Sequence, residues 1–137
     1  MVEITIGREE KIMNSTIVTK EAPAAIGPYS QGIIAGDLVF VSGQIPVNPE
    51  TGNVEANTIK EQARQSLENV SAVLKEAGLT LKDVVKTTCF ISSMEDFAEF
   101  NEVYSEYFTD VTPARSCIAA KELPKKVLCE VEVIARK

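Results

Sequence analysis

No histidine and no tryptophan occur in the 137 residues of this chain. Without imidazole, a general base near neutrality has to come from carboxylate, tyrosine, lysine or cysteine. Zinc sites normally use histidine and are discounted with it, because Cys89, Cys117 and Cys129 are too few and have no Cys-x-x-Cys spacing. The three cysteines sit in apolar or β-branched runs, which reads as buried reduced thiols in a reducing compartment. No apolar run reaches the ~18–20 residues that cross a bilayer. The N-terminus also lacks the apolar core of a secretory signal. A cytoplasmic protein with no membrane partner is the expectation. Positive charge is scarce too, 14 Lys and Arg against 20 Asp and Glu, for a net charge of −6. The best basic stretch, Lys121 to Lys126, is a poor footprint for DNA or RNA, so no nucleic-acid partner is expected.

What is present fits one domain with a real core. Residues 1–12 (MVEITIGREEKI) read as an N-terminal extension with a short strand near Val2 to Ile6, and residues 13–137 as the domain. A β-prone segment at Ile17 to Thr19 is followed by Tyr29 to Ile34 and Leu38 to Val41, two strands joined by Ala35-Gly36-Asp37. Thr58 and Glu61 form a capping box that opens a helix with an apolar stripe from Ile59 to Ala77, closed by Gly78. Val84 to Ile91 is a strand. Ser93 and Asp96 cap a second helix with the stripe Phe97, Phe100, Tyr104, Tyr107 and Phe108, which reads as core. Pro113 ends it, and strands at Arg115 to Ala120 and Val127 to Ala135 follow.

The order β-β-β-α-β-α-β-β implies an α+β fold in which two helices cover one face of a six-stranded sheet. In the last strand Val127, Cys129, Val131 and Val133 point one way, and Leu128, Glu130, Glu132 and Ile134 the other. The second set is too polar for a monomer core and too apolar for open solvent, so a homo-oligomer with a pocket at its interface is expected.

Arg115 opens a strand just after the proline stop, and Glu130 lies in the strand that follows it in the chain. That places the two on neighbouring strands. A guanidinium fork grips a carboxylate with paired hydrogen bonds, and a glutamate among apolar neighbours needs a partner or a solvated cavity. The functional reading is a carboxylate clamp beside a water-positioning proton shuttle. The bland one is a structural ion pair, these two residues with each other being one such pairing. Cys117 shares a strand face with Arg115 and is better suited to the pocket wall than to nucleophilic attack, since no activating base exists. Tyr29 is held by Gly27-Pro28, its hydroxyl either in a pocket or satisfied in the core. Ser42-Gly43 ends a strand where a ligand can approach the backbone, or is a plain turn. Asn101 lies one position off the aromatic stripe, where a solvated helix residue is the ordinary reading.

Several motifs in one order then carry a resemblance. They are Ala22-Pro23-Ala24-Ala25-Ile26-Gly27-Pro28-Tyr29-Ser30-Gln31, Val41-Ser42-Gly43-Gln44-Ile45-Pro46, Gln62 to Val70, Val85-Lys86-Thr87-Thr88, Pro113-Ala114-Arg115-Ser116-Cys117, Leu123-Pro124 and Glu130. Across nearly all of residues 13 to 137 the chain resembles the RidA (YjgF) family of reactive-intermediate deaminases. The resemblance implies a chorismate-mutase-like fold with a mixed, mainly antiparallel sheet. It also implies a homotrimer with inward-facing sheets and sites between subunits. The implied activity is cofactor-free hydrolysis of 2-imino acids and their enamine tautomers, such as 2-aminoacrylate, 2-iminopropanoate and 2-iminobutanoate, to 2-keto acids and ammonia. These substrates leak from pyridoxal-phosphate-dependent serine and threonine dehydratases and damage other cofactor enzymes. Carried onto this chain, Arg115 would clamp the substrate carboxylate with the backbone around Cys117. Glu130 would hold water and move its proton, and Tyr29, Ser42, Gly43 and Asn101 would line the pocket; no metal is implied. Two other functions stay open at this stage: a module that binds small carboxylates such as 2-keto acids without turnover, and an endoribonuclease or translation inhibitor.

Overall fold

A computed structural model of the chain describes residues 14–137. The expected N-terminal extension and its strand near Val2 to Ile6 lie outside the described residues. The elements are β1 (Ser15–Ile17), β2 (Gly32–Ala35), β3 (Leu38–Gln44), α1 (Ile59–Glu76), β4 (Val84–Ile91), α2 (Phe97–Tyr107), β5 (Ala114–Ala119) and β6 (Cys129–Arg136). Single 3-10 turns occur at Leu81–Asp83, Met94–Asp96 and Pro124–Lys126. The element order matches the sequence reading.

The sheet runs β1-β2-β3-β6-β4-β5. A tight turn with Gly36 at φ 61° lets β2 and β3 pair directly. The crossover through α2 makes β4 and β5 parallel, because parallel neighbours need a long connection. All other neighbours are antiparallel. β6 therefore enters between β3 and β4, and β5 is left at an edge. This corrects one sequence expectation. Arg115 and Glu130 are on consecutive strands of the chain, yet β4 lies between those strands in the sheet.

α1 begins where the Thr58 hydroxyl accepts the Glu61 N–H at 3.2 Å. The return half of the expected capping box is replaced by a hydroxyl-to-carboxylate bond between the same residues. A full box forms instead at Thr80 and Asp83, over the 3-10 turn. α1 ends with Gly78 at φ 77°, where the Gly78 and Leu79 amides return to the Lys75 and Leu74 carbonyls. The second helix starts later than its Ser93 cap suggests, since Ser93 caps the 3-10 turn that leads into it.

Ile59, Ala63, Leu67, Val70, Val73 and Leu74 of α1, with Phe100, Val103 and Tyr104 of α2, bury against one face of the sheet. That face presents Val39, Val41, Cys89, Ile91, Cys129, Val131, Val133 and Ala135. Two buried polar residues of α1 fasten loops to this layer. Asn69 donates to the carbonyls of Ile45 (3.1 Å) and Val47 (2.9 Å), and the Gln62 side-chain oxygen accepts the Leu128 N–H at 2.7 Å. The loop after β3 and the entry to β6 are thus held from the helix side.

Among the described residues nothing covers the opposite sheet face. Ile33, Phe40, Ile134 and Lys86 lie in one row across it, and Ile118, Phe90 and Glu130 in another. Phe40 and Ile118 remain 40% and 51% exposed. The alternation read in β6 holds: its odd residues are buried, while Glu130, Glu132 and Ile134 face outward.

Leu67 is fully buried under the sheet, so Leu67→Ala is expected to cost about 3 kcal/mol through lost transfer energy and a residual cavity. Thr58→Ala, which removes only a cap, should cost about 1 kcal/mol. Urea unfolding at one fixed protein concentration checks the ranking; equal midpoints for the two variants would contradict this account of the core.

Candidate active site

Pro113 ends the approach to β5, and the strand then alternates Arg115 and Cys117 toward the helix layer. Their register partners on β4 are Thr87 and Cys89, both fully buried. Arg115 meets three residues of α2 spaced by four and three positions, hence on one helix face. Its Nη1 donates to Asn101 Oδ1 at 2.6 Å. Its guanidinium carbon lies 4.6 Å from the Tyr104 ring centroid and 5.5 Å from that of Phe97. No carboxylate pairs with it among the described residues. A half-buried guanidinium with a neutral hydrogen-bond partner, aromatic faces behind it and donors to spare is suited to an anion. A cavity of about 540 Å³ opens beside it, lined by Asn101, Tyr104, Ser105, Phe108, Thr112, Pro113 and Arg115.

Glu130 belongs to the other side of the sheet. It pairs with Phe90 in the β4 ladder, and Phe90 pairs with Ile118 in β5. On its other flank the β3–β6 register slips between Val41 and Gln44, so Ser42 and Gly43 face the single residue Glu132 in a bulge. The missing Gly43 side chain leaves room for Glu130: a Cβ there would fall on the Glu130 carboxylate. Burial, and secondarily the neighbouring Glu132 charge, push the Glu130 carboxyl above the ordinary carboxylate range. Glu130 has no ion pair among the described residues, so the structural bridge to Arg115 is absent.

Tyr29 borders the same cavity as Gly43 on a loop fixed in two ways. Gly27 takes φ 129°, and its carbonyl accepts the Tyr29 N–H at 2.9 Å. Ser42 then donates its hydroxyl to the Ser30 carbonyl at 2.5 Å and its N–H to the Gln31 carbonyl at 3.0 Å. Ser42 is therefore a fastener of the Tyr29 loop, its hydroxyl proton already committed. The buried Gln31 amide completes the anchorage, donating to the carbonyls of Thr19 and Pro23 and accepting the Thr19 N–H. Tyr29 is 53% exposed, which removes the core-tyrosine alternative. With Gly43, Ile26, Ile45, Val47 and Lys125 it lines a cavity of about 430 Å³.

The candidate residues thus fall into two groups. Arg115, Asn101 and Cys117 are on the helix side near the β5 edge, whereas Glu130, Gly43 and Ser42 are on the uncovered side, with Tyr29 lining a cavity beside Gly43. Cys117 is half-buried rather than buried. Burial raises its thiol despite the opposing effect of Arg115, so it remains a neutral wall. Cys89 and Cys129, pushed up to about 12 mainly by burial, are inert thiols. Phe97, Tyr104 and Thr87 were not singled out as site residues in the sequence. Their signal was the spacing Phe97–Asn101–Tyr104, which an all-core reading of the aromatic stripe obscures.

A raised Glu130 pKa has a defined consequence for stability. The folded state binds this proton more tightly than the unfolded chain, so stability from this group is full below the unfolded pKa and lost as pH rises through the folded value. Glu130→Gln should accordingly unfold at a higher temperature than wild type at neutral pH. The advantage should shrink on acidification toward about pH 4, the ordinary glutamate range. Thermal unfolding across that interval reads both effects, and a variant less stable at neutral pH would contradict the burial argument.

Residues 19–137 match the family model described as Endoribonuclease L-PSP. The 2-iminobutanoate/2-iminopropanoate deaminase of Escherichia coli (strain K12) is 52% identical over 126 residues, which cover 90% of this chain and 98% of that protein. The solved structure of the E. coli YjgF gene product superposes with a TM-score of 0.86 at 51% identity, covering 90% of this chain and 98% of the other. E. coli TdcF with bound serine gives a TM-score of 0.86 at 49% identity, with the same 90% and 98% coverage. Similarity of this extent in both sequence and fold means that the chain belongs to the Endoribonuclease L-PSP family, the group that includes YjgF.

Proposed function

We propose that this chain hydrolyses 2-imino acids and their enamine tautomers, including 2-iminobutanoate and 2-iminopropanoate, to 2-keto acids and ammonia. The name of the E. coli relative supplies the substrate class. The observation that carries the reading is a guanidinium with no carboxylate partner among the described residues, matched by a carboxyl whose pKa is raised by burial on the sheet face that needs a cover. The two groups point to opposite faces of their own sheet, so the site is completed by a second copy. In the proposed homotrimer the uncovered faces turn inward. The β5 edge of one subunit brings Arg115, Asn101 and Cys117 to Glu130, Gly43 and Tyr29 of its neighbour. The exposed Phe40 and Ile118 support such a cover.

Arg115 seats the substrate carboxylate and fixes the imine carbon, C2, next to it. Positioning of this kind contributes several kcal/mol by removing freedom before reaction. Starting from the protonated imine, Glu130 accepts a proton as water adds to C2, giving a tetrahedral carbinolamine. It then returns that proton to nitrogen. As the C2–N bond breaks and ammonia leaves, the carbinolamine hydroxyl gives its proton to Glu130, which passes it to the departing ammonia, so that the ketone forms. The balance is imine plus water to 2-keto acid plus ammonia. A carboxyl held above its usual pKa is suited to both transfers. In the cell the imines would come from pyridoxal-phosphate-dependent dehydratases in the cytoplasm. Among the described residues no helix is long and apolar enough to cross a membrane.

Serine bound to TdcF favours a second reading, a small-carboxylate binder without turnover. The family description also names endoribonuclease, but a net charge of −6 and the absence of histidine suit phosphodiester cleavage poorly.

A coupled assay separates these. Threonine dehydratase generates 2-iminobutanoate while semicarbazide competes for it, and the protein should accelerate 2-ketobutyrate release. Arg115→Ala and Glu130→Gln should each lose at least about 100-fold, the scale of one general-acid/base or clamp residue. Mixed at equal ratio through unfolding and refolding, the two dead variants should recover roughly a quarter of wild-type activity, since in a closed ring one site in four joins an intact Arg115 to an intact Glu130. No recovery from well-formed mixed oligomers would refute the shared site, and wild-type activity in Arg115→Ala would refute the hydrolase itself.

A further inference from the structure

We infer that Tyr104 is a positioning residue for Arg115, set in place by the buried hydroxyl of Thr87; the inference rests on the proposed carboxylate site and deepens it. Tyr104 is 8% exposed, and its hydroxyl makes a 2.8 Å hydrogen bond with Thr87 Oγ1, buried completely. Thr87 is also the register partner of Arg115 across the parallel β4–β5 ladder. One β4 residue therefore fixes the arginine through the backbone ladder and the ring through its side chain. The ring faces the guanidinium carbon at 4.6 Å, and Asn101, one helical turn earlier, takes Nη1 at 2.6 Å. Phe97 adds a second aromatic contact at 5.5 Å.

The consequence is a restriction on the fork. A free arginine side chain has several rotatable bonds and loses entropy when it binds. Here the Tyr104 ring backs the guanidinium and Asn101 occupies one donor, so the remaining N–H groups are left for a carboxylate. Tyr104 touches neither water nor the reacting carbon in this scheme. Its loss should weaken carboxylate seating and leave the proton transfers at Glu130 nearly intact.

The test uses full-length protein and two probes, 2-iminobutanoate turnover and calorimetric binding of 2-ketobutyrate. Tyr104→Leu is expected to raise KM and the 2-ketobutyrate Kd about tenfold with kcat within about threefold, the size of a desolvated cation–π contact. Tyr104→Phe restores the ring and should recover all but about threefold of both. A folded Tyr104→Leu protein with unchanged KM and Kd would overturn the inference, as would equal losses in the Leu and Phe variants. If Tyr104→Leu does not fold, Thr87→Val and Tyr104→Phe decide the matter. Both remove one hydrogen bond, so each should weaken 2-ketobutyrate binding two- to threefold and the double variant no further; additive losses or none would overturn it. If wild type binds 2-ketobutyrate but turns over no imine, the hydrolase reading falls, and the binding measurements alone still judge Tyr104.

Discussion

Side-chain alternation on a sheet covered from one side is the constraint on which the rest depends. Two helices bury one face of six strands, and a period of two sends every other residue to the face they leave open. Arg115 shares its row with Thr87 and Val133, under the helices, while Glu130 shares its row with Phe90 and Ile118, away from them. A one-residue slip in β5 or β6 would put both on one side and make an internal ion pair available. The register instead keeps a guanidinium and a carboxylate of the same chain apart and unneutralised, which is the condition under which both can serve a ligand.

That separation is costly to the isolated fold. Glu130 is held among Phe90, Gly43 and Glu132 with its ionised form disfavoured, and Phe40 and Ile118 stand in solvent. Neither improves the stability of one subunit. Both would become useful in the proposed oligomer, where a second copy would cover the face, exclude water and strengthen the electrostatics around a substrate. The Gly43 bulge belongs to the same trade: it interrupts a ladder to admit a carboxylate where any side chain would collide.

Most of the fold was legible in the sequence because its signals are local. The Thr58 and Gly78 boundaries of α1, the Gly36 turn and the alternation in β6 depend on neighbours a few residues away, and each appears where expected. Strand order did not follow from such signals. Inserting β6 between β3 and β4 is a long-range choice, so consecutive β5 and β6 were read as adjacent when they are not. The candidate site is a proposal drawn from residue types at family motifs, and its division between two sheet faces was not legible in the sequence. Ser42 illustrates the limit at smaller scale: the motif identifies the position, and only the structure reveals a hydroxyl spent on the Ser30 carbonyl.

An acidic protein taking an anionic substrate requires explanation, and range provides it. At physiological salt, charges farther than about 8 Å are largely screened, so a net charge of −6 acts weakly on a small acid compared with a contact guanidinium. The ion pairs among the described residues include Lys60 with Glu102 and Arg64 with Glu106 between the helices, and none of them involves Arg115. A single cation then suits a substrate with one carboxylate. An imine carbon is already electrophilic, so the remaining chemistry asks for an oriented water and one carboxyl able to hold and release a proton. The absence of histidine, which looks like a deficiency in an enzyme, is consistent with a reaction that needs so little assistance.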